Sequence, residues 1–62
     1  MVILTNDVNA RSLCISHGIR VDELSLEETQ MLAIDGLYIF VQRGGHFEKL
    51  DGLKDLQKLL NN

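Results

Sequence analysis

The 62-residue sequence has no proline and no tryptophan, and Cys14 is its only cysteine. A single cysteine excludes a disulfide within the chain, and a lone thiol is typical of a reducing, cytosolic setting. No apolar run approaches the roughly 18 residues of a membrane span, and no basic-then-apolar leader opens the chain. We therefore expect a soluble, cytoplasmic protein that does not bind a membrane.

Positive charge is also scarce. Six Lys and Arg residues stand against nine Asp and Glu residues, which gives a net charge of −3. The basic residues are scattered singly, so no cluster is available to neutralise a phosphate backbone. Nucleic acid is therefore not expected as a simple partner. An apolar content of 45% argues against disorder.

The length predicts one small α/β domain over residues 1–62, with a marginal core. Small domains are usually stabilised by disulfides, a metal or association. Since no internal disulfide can form, we expect a homo-oligomer or a complex with a protein partner. The last segment has leucines at helical spacing, and this face is either core or a dimer seam. Its members are Leu53, Leu56, Leu59 and Leu60.

The first third of the chain has the pattern of a βαβ unit. Residues 2–4 form a β-branched, apolar run that predicts a buried strand. The triplet Thr5-Asn6-Asp7 follows, and any of its side chains could cap a helix. Residues 10–17 have a helical apolar stripe, and Gly18 suits a helix C-terminus. Residues 19–21 predict a second strand, parallel to the first.

Residues 25–35 allow two interpretations. Ser25 and Glu28 fit a capping box, and the composition of residues 24–33 favours a helix that ends near Gly36. The alternative is a hairpin in which Asp35-Gly36 forms a type I′ turn between "MLAI" and "LYIF". We expect the helix.

The remainder predicts a hairpin and a helix. Residues 37–43 are nearly continuously apolar, as in a central strand covered on both faces. Gly44-Gly45 predicts a tight turn, and residues 46–50 an edge strand. A last helix begins at Asp51-Gly52. The predicted order is βαβαββα, a small α/β sandwich with a mixed sheet.

Residues 2–21, "VILTNDVNARSLCISHGIRV", resemble the second half of a PIN-domain ribonuclease. The matching features are the apolar strand, the Thr5-Asn6-Asp7 triplet, the helix and the Gly18-Ile19 step into a parallel strand. The resemblance implies a Mg²⁺- or Mn²⁺-dependent endoribonuclease with acidic metal ligands. Asp7 carries over as a catalytic, metal-coordinating acid, and Asn9 lies near a further metal position. The upstream half, which supplies other acids, is absent from this sequence.

Each candidate residue also has a structural interpretation. Asp7 could cap the first helix. Cys14 and His17 form a C-x-x-H that could begin a zinc site, but a buried thiol and a helix-ending histidine explain it better. Arg43 and His46 flank the glycine turn and could contact an anion or a partner. The acidic residues of the middle segment could face solvent or a basic partner; they are Asp22, Glu23, Glu27 and Glu28.

These observations favour a small protein-interaction module without a cofactor, in the form of a truncated or non-catalytic PIN-like domain. It would self-associate or bind a protein partner. The alternative is a PIN-like ribonuclease that uses Mg²⁺ or Mn²⁺ and whose acidic site is completed by a second chain. Nucleic acid is a partner only under that alternative.

Overall fold

A computed structural model describes residues 1–61 and confirms the βαβαββα order. The elements are β1 (Val2–Thr5), α1 (Val8–Ser16), β2 (Arg20–Asp22), α2 (Leu26–Met31), β3 (Ile39–Arg43), β4 (His46–Lys49) and α3 (Leu53–Asn61). The four strands form one sheet in the order β2-β1-β3-β4.

The sheet is mixed, as predicted. β1 runs parallel to β2, with Ile3 opposite Val21, and antiparallel to β3, with Ile3 also opposite Val41. β3 and β4 form the predicted antiparallel hairpin. Its two turn residues, Gly44 and Gly45, have φ angles of 51° and 84°. A type I′ turn needs positive φ at both central positions, which glycine adopts without steric penalty.

The core lies on one face of the sheet. Side chains of β1 and β3 point to this face because alternate residues of a strand share a side. α1 and α3 cover them and also pack against each other. The buried apolar cluster consists of Ile3, Ala10, Cys14, Ile39, Val41 and Leu56. Leu53, Leu59 and Leu60 are partly buried against this cluster. The leucine face of α3 is therefore part of the core of the chain.

The boundaries of the first elements differ slightly from the prediction. α1 begins at Val8 rather than Ala10, because the Asp7 side chain caps the helix directly after β1. Gly18 follows the helix with a φ of 70°, as expected for a residue that ends a helix. β2 covers Arg20–Asp22, one residue later than predicted.

The middle segment is helical, so the hairpin alternative is wrong. α2 is nevertheless short and ends at Met31, before Ala33, whose φ of 54° is left-handed and incompatible with a continuing helix. The predicted capping box is present: Ser25 Oγ accepts from Glu28 N–H at 3.0 Å, and Glu28 Oε1 accepts from Ser25 N–H at 2.9 Å.

The prediction that the strand after Gly36 is covered on both faces is wrong. β3 begins at Ile39 rather than Leu37, and Leu37 is exposed. β3 lies between β1 and β4, but only its α1 and α3 side is closed. On the other face α2 has no buried residue, and Phe40 is only partly buried. This face of the sheet is therefore covered only in part: Leu4 and Tyr38 are buried on it, whereas Phe40 is partly buried and Phe47 is exposed.

No helix among residues 1–61 is long and apolar enough to cross a membrane.

Candidate functional site

The polar triplet Thr5-Asn6-Asp7 spans the end of β1 and the start of α1. Thr5 is fully buried, and its hydroxyl has two partners. Thr5 Oγ1 donates to the carbonyl oxygen of Tyr38 at 2.6 Å and accepts from the backbone N–H of Asp7 at 3.0 Å. A buried hydroxyl is stable only when it is hydrogen-bonded in this way. Thr5 therefore ties the end of β1 to the segment that leads into β3.

Asn6 binds the same segment through both atoms of its amide. Its Oδ1 accepts from the backbone N–H of Tyr38 at 2.9 Å, and its Nδ2 donates to the carbonyl oxygen of Gly36 at 3.1 Å. The Asn6 side chain thus makes hydrogen bonds to Gly36 and Tyr38 that the backbone of a neighbouring strand would otherwise make. This role explains why β3 starts only at Ile39.

Asp7, the predicted catalytic acid, caps α1. Its backbone is extended, and Oδ1 accepts from the backbone N–H of Asn9 at 3.0 Å. One of the helix's otherwise unpaired N–H groups is thereby satisfied. Asn9, the second predicted metal position, is exposed in the first turn of the helix and meets Asp7 through its backbone N–H.

A shallow depression of about 330 Å³ lies beside Asp7 at this end of the sheet. Asp7, Asp51 and Lys49 are among the residues that line it. Within residues 1–61, no three His, Cys, Asp or Glu side chains are grouped closely enough to hold a metal ion. Mg²⁺ needs a near-octahedral oxygen set. The engaged carboxylate of Asp7 and the amide of Asn9 do not by themselves fit that requirement.

Cys14 and His17 are separated by burial. The Cys14 thiol is fully inside the core, and burial raises its pKa. His17 is exposed and ends α1, where its backbone N–H donates to the carbonyl oxygens of Leu13 and Cys14. The structural interpretation accounts for both residues.

An apolar groove with a volume of about 360 Å³ lies between α2 and the open face of the sheet. We call it the α2 groove. It is lined by Leu24, Glu28, Met31, Leu32, Phe40 and Phe47. Met31 is 79% exposed, Phe47 60% and Leu32 59%. Three large apolar side chains around one groove are therefore left exposed to solvent.

The α2 groove has a fixed floor and a defined edge. Tyr38, which directly precedes β3, and Phe40, on β3, have ring centroids 5.8 Å apart. The Tyr38 hydroxyl accepts from the backbone N–H of Leu24 at 2.9 Å and so anchors the chain just before α2. Glu28, whose carboxylate is held by the capping box, places a negative charge at the rim.

Comparison with models of protein families, with curated proteins and with solved structures found no match.

The α2 groove could not be recognised from the sequence alone. Met31 and Leu32 fit the apolar face of a predicted helix, which normally turns toward a core. Phe47 fits an edge strand. The only available signal was the isolated aromatic residue in "HFEKL", since an edge strand has little structural need for phenylalanine on an open face.

Proposed function

We propose that this chain is a small protein-interaction module that binds a partner protein in the α2 groove. The observation that carries the proposal is the exposure of Met31, Leu32 and Phe47 around one apolar depression. Burial of apolar surface is the main favourable term in protein association, at about 25 cal/mol per Å². A fold gains little from apolar side chains that it leaves in water.

The charge around the groove specifies the partner more closely. Glu28 lines the groove and Glu27 precedes it in α2, and both residues are exposed. The only ion pair among residues 1–61 joins Arg43 and Glu48, so neither acid of α2 is neutralised within that part of the chain. Lys49 lies opposite Phe40 on the same face of the sheet, so the expected partner segment presents apolar anchors with Lys or Arg on the side that faces α2. An amphipathic helix with anchors on one face is the simplest form of such a segment.

The test uses two synthetic helical peptides with leucines at positions i, i+4 and i+7. One peptide has lysines beside the leucines, and the other has glutamates at the same positions. We expect the lysine peptide to bind and to shift the amide resonances of Phe40, Phe47 and Met31, and the glutamate peptide to bind more weakly. Binding of neither peptide, or shifts confined to another surface, would contradict the proposal.

Met31→Lys is the decisive variant, because it places a charge at the apolar patch and faces solvent. It should weaken binding of the lysine peptide at least about tenfold. The free energy of unfolding should stay within about 0.5 kcal/mol of that of the unchanged protein. The matched control is Ile15→Lys. Ile15 is also an exposed apolar residue of a helix, at 63%, but it does not line the groove. Equal effects of the two substitutions would refute a specific site.

A second candidate function is the metal-dependent ribonuclease. It is supported by the position of Asp7 at the carboxyl end of β1, with Asp51 lining the same depression. Under this proposal a second chain supplies the missing acids. Asparagine caps a helix about as well as aspartate, so Asp7→Asn should abolish Mn²⁺-stimulated RNA cleavage without lowering the melting temperature. The control is Asp35→Asn, outside the depression. Absent cleavage, or cleavage that survives Asp7→Asn, would exclude this function.

A further inference from the structure

β4 lies at the end of the sheet, and all four of its residues are exposed. The backbone N–H of Leu50 donates to the carbonyl oxygen of Ile39 at 2.9 Å, which marks this pair as hydrogen-bonded. Hydrogen-bonded and non-hydrogen-bonded pairs alternate along an antiparallel ladder. Glu48 and His46 therefore turn their backbone groups toward β3. Phe47 and Lys49 turn theirs outward, along the free edge.

We propose that the free edge of β4 pairs antiparallel with β4 of a second copy of this chain, with Phe47 opposite Phe47. In this register the two Phe47 residues exchange N–H to carbonyl hydrogen bonds, because their backbone groups point outward. An exposed edge with an apolar side chain at its centre is a template for such pairing.

The side chains of β4 are self-complementary in this register. Antiparallel pairing centred on Phe47 places His46 of each copy opposite Glu48 of the other. An imidazole N–H can donate to a carboxylate in either protonation state. Arg43 of the same chain already lies 3.9 Å from Glu48. Each Glu48 is thus placed between a guanidinium and an imidazole, and opposite-charge pairs across strands are favourable.

A register centred on Glu48 would also keep like faces of the two strands together, but it is less favourable. Centring the pairing on Glu48 would set the two Glu48 carboxylates directly opposite each other, in a close non-hydrogen-bonded pair. Like charges opposite each other in a sheet are destabilising. The free edge of β2 is shorter, at three residues, and has Arg20 and Asp22 at its ends. Charge therefore favours the Phe47 register over the Glu48 register, and length and charge favour the β4 edge over the β2 edge.

The dimer has a consequence for the binding surface. A two-fold axis perpendicular to the sheet keeps the same face of both copies on one side. Phe40 and Phe47 belong to the open face, since Phe40 pairs with Lys49 and Phe47 with Gln42. The two α2 grooves then lie on one side of a continuous sheet, with the Phe47 rings adjacent at its centre. This arrangement doubles the apolar surface offered to a partner, although pairing itself does not depend on groove binding.

Analytical ultracentrifugation over a concentration series tests the proposal with the full chain. We expect the weight-average mass to rise toward twice the 7.0 kDa of one chain. Phe47→Lys should raise the dimer dissociation constant at least about tenfold, since it removes the aromatic pair and sets like charges together. A monomer at every concentration would overturn the proposal.

Exchange of the side chains at positions 46 and 48 tests the register. His46→Glu sets two carboxylates opposite each other and should weaken the dimer. Glu48→His removes the carboxylate and should also weaken it. The double variant restores each imidazole–carboxylate pair in reverse and should return the dissociation constant to near that of the unchanged protein. Weakening by both single variants without recovery in the double variant would refute this register.

Two controls separate this proposal from the others. Asp22→Lys on the β2 edge should leave the dimer unchanged. Loss of the dimer in this variant would mean that the interface lies at β2. Met31→Lys should weaken binding of the lysine peptide at least about tenfold but leave the dimer intact. Loss of the dimer in Met31→Lys would instead mean that the second copy occupies the α2 groove. All of the substituted side chains are exposed, so circular dichroism should report an unchanged fold.

Discussion

The amide of Asn6 offers the sharpest test of how the fold is held together. Asn6→Ala removes two hydrogen bonds at once, one from the Tyr38 N–H and one to the Gly36 carbonyl. The first is part-buried and the second exposed. Water can replace the lost partner of Gly36, but it reaches the Tyr38 N–H less easily. Most of the loss should therefore come from Tyr38.

The size of the effect follows from these two bonds. A hydrogen bond contributes about 0.5–1.5 kcal/mol net, and an unsatisfied buried donor costs about 1–3 kcal/mol. We expect Asn6→Ala to lower the free energy of unfolding by about 1–3 kcal/mol. For a domain of this size, a loss of 1 kcal/mol lowers the melting temperature by roughly 4–8 °C. The change is therefore large enough to be measured without ambiguity.

Urea unfolding followed by circular dichroism provides the measurement. Asn9→Ala is the matched control, because Asn9 is exposed and uses only its backbone N–H; its effect should stay within about 0.5 kcal/mol. Asn6→Asp keeps the acceptor for Tyr38 but loses the donor to Gly36, so it should fall between the two. If Asn6→Ala unfolds at the same urea concentration as Asn9→Ala, the amide does not hold residues 36–38.

Three further predictions concern the cap, the core and the thiol. Asp7→Ala should lower the free energy of unfolding by about 1 kcal/mol in urea, whereas Asp7→Asn should not; equal losses would contradict the capping role. Leu56→Ala should cost about 2–5 kcal/mol because Leu56 is fully buried, while Leu26→Ala, at an exposed position, should be nearly neutral in the same assay. Because burial raises the Cys14 pKa, the folded protein retains the thiol proton longer than the unfolded chain, so stability should fall as the pH rises above about 8.5. The difference between the unchanged protein and Cys14→Ala across that pH range isolates the thiol, and a constant difference would contradict its desolvation.

The order of the elements could be predicted because each has a strong local pattern. The β-branched run at the N-terminus, the capping box at Ser25 and the Gly44-Gly45 turn each specify local geometry through nearby residues alone. The boundaries were less predictable. β3 begins two residues late because Asn6, which is 30 and 32 positions away, binds the Gly36 carbonyl oxygen and the Tyr38 N–H. No local pattern contains that information.

The sequence also predicted that the second face of the sheet would be covered, and this was the larger error. "LYIFVQR" has the composition of a strand that is covered on both sides, and Phe40 would be buried if α2 lay flat across it. α2 is only six residues long, and the left-handed Ala33 ends its path. Apolar composition reports that a surface avoids water, but it does not identify what covers that surface. A partner chain satisfies the same pattern as an internal helix.

The triplet and the groove differ in how fully the fold itself uses their side chains. Thr5, Asn6 and Asp7 each make hydrogen bonds that hold β1, α1 and the segment before β3, so folding alone is a sufficient reason for their chemistry. An apolar strand followed by a polar triplet therefore does not distinguish a nuclease edge from a structural junction. Met31 and Phe47 have no comparable role in the fold, since both are largely exposed. Substitution at Asn6 should thus change stability and leave peptide affinity of the folded protein intact, whereas substitution at Met31 should do the reverse.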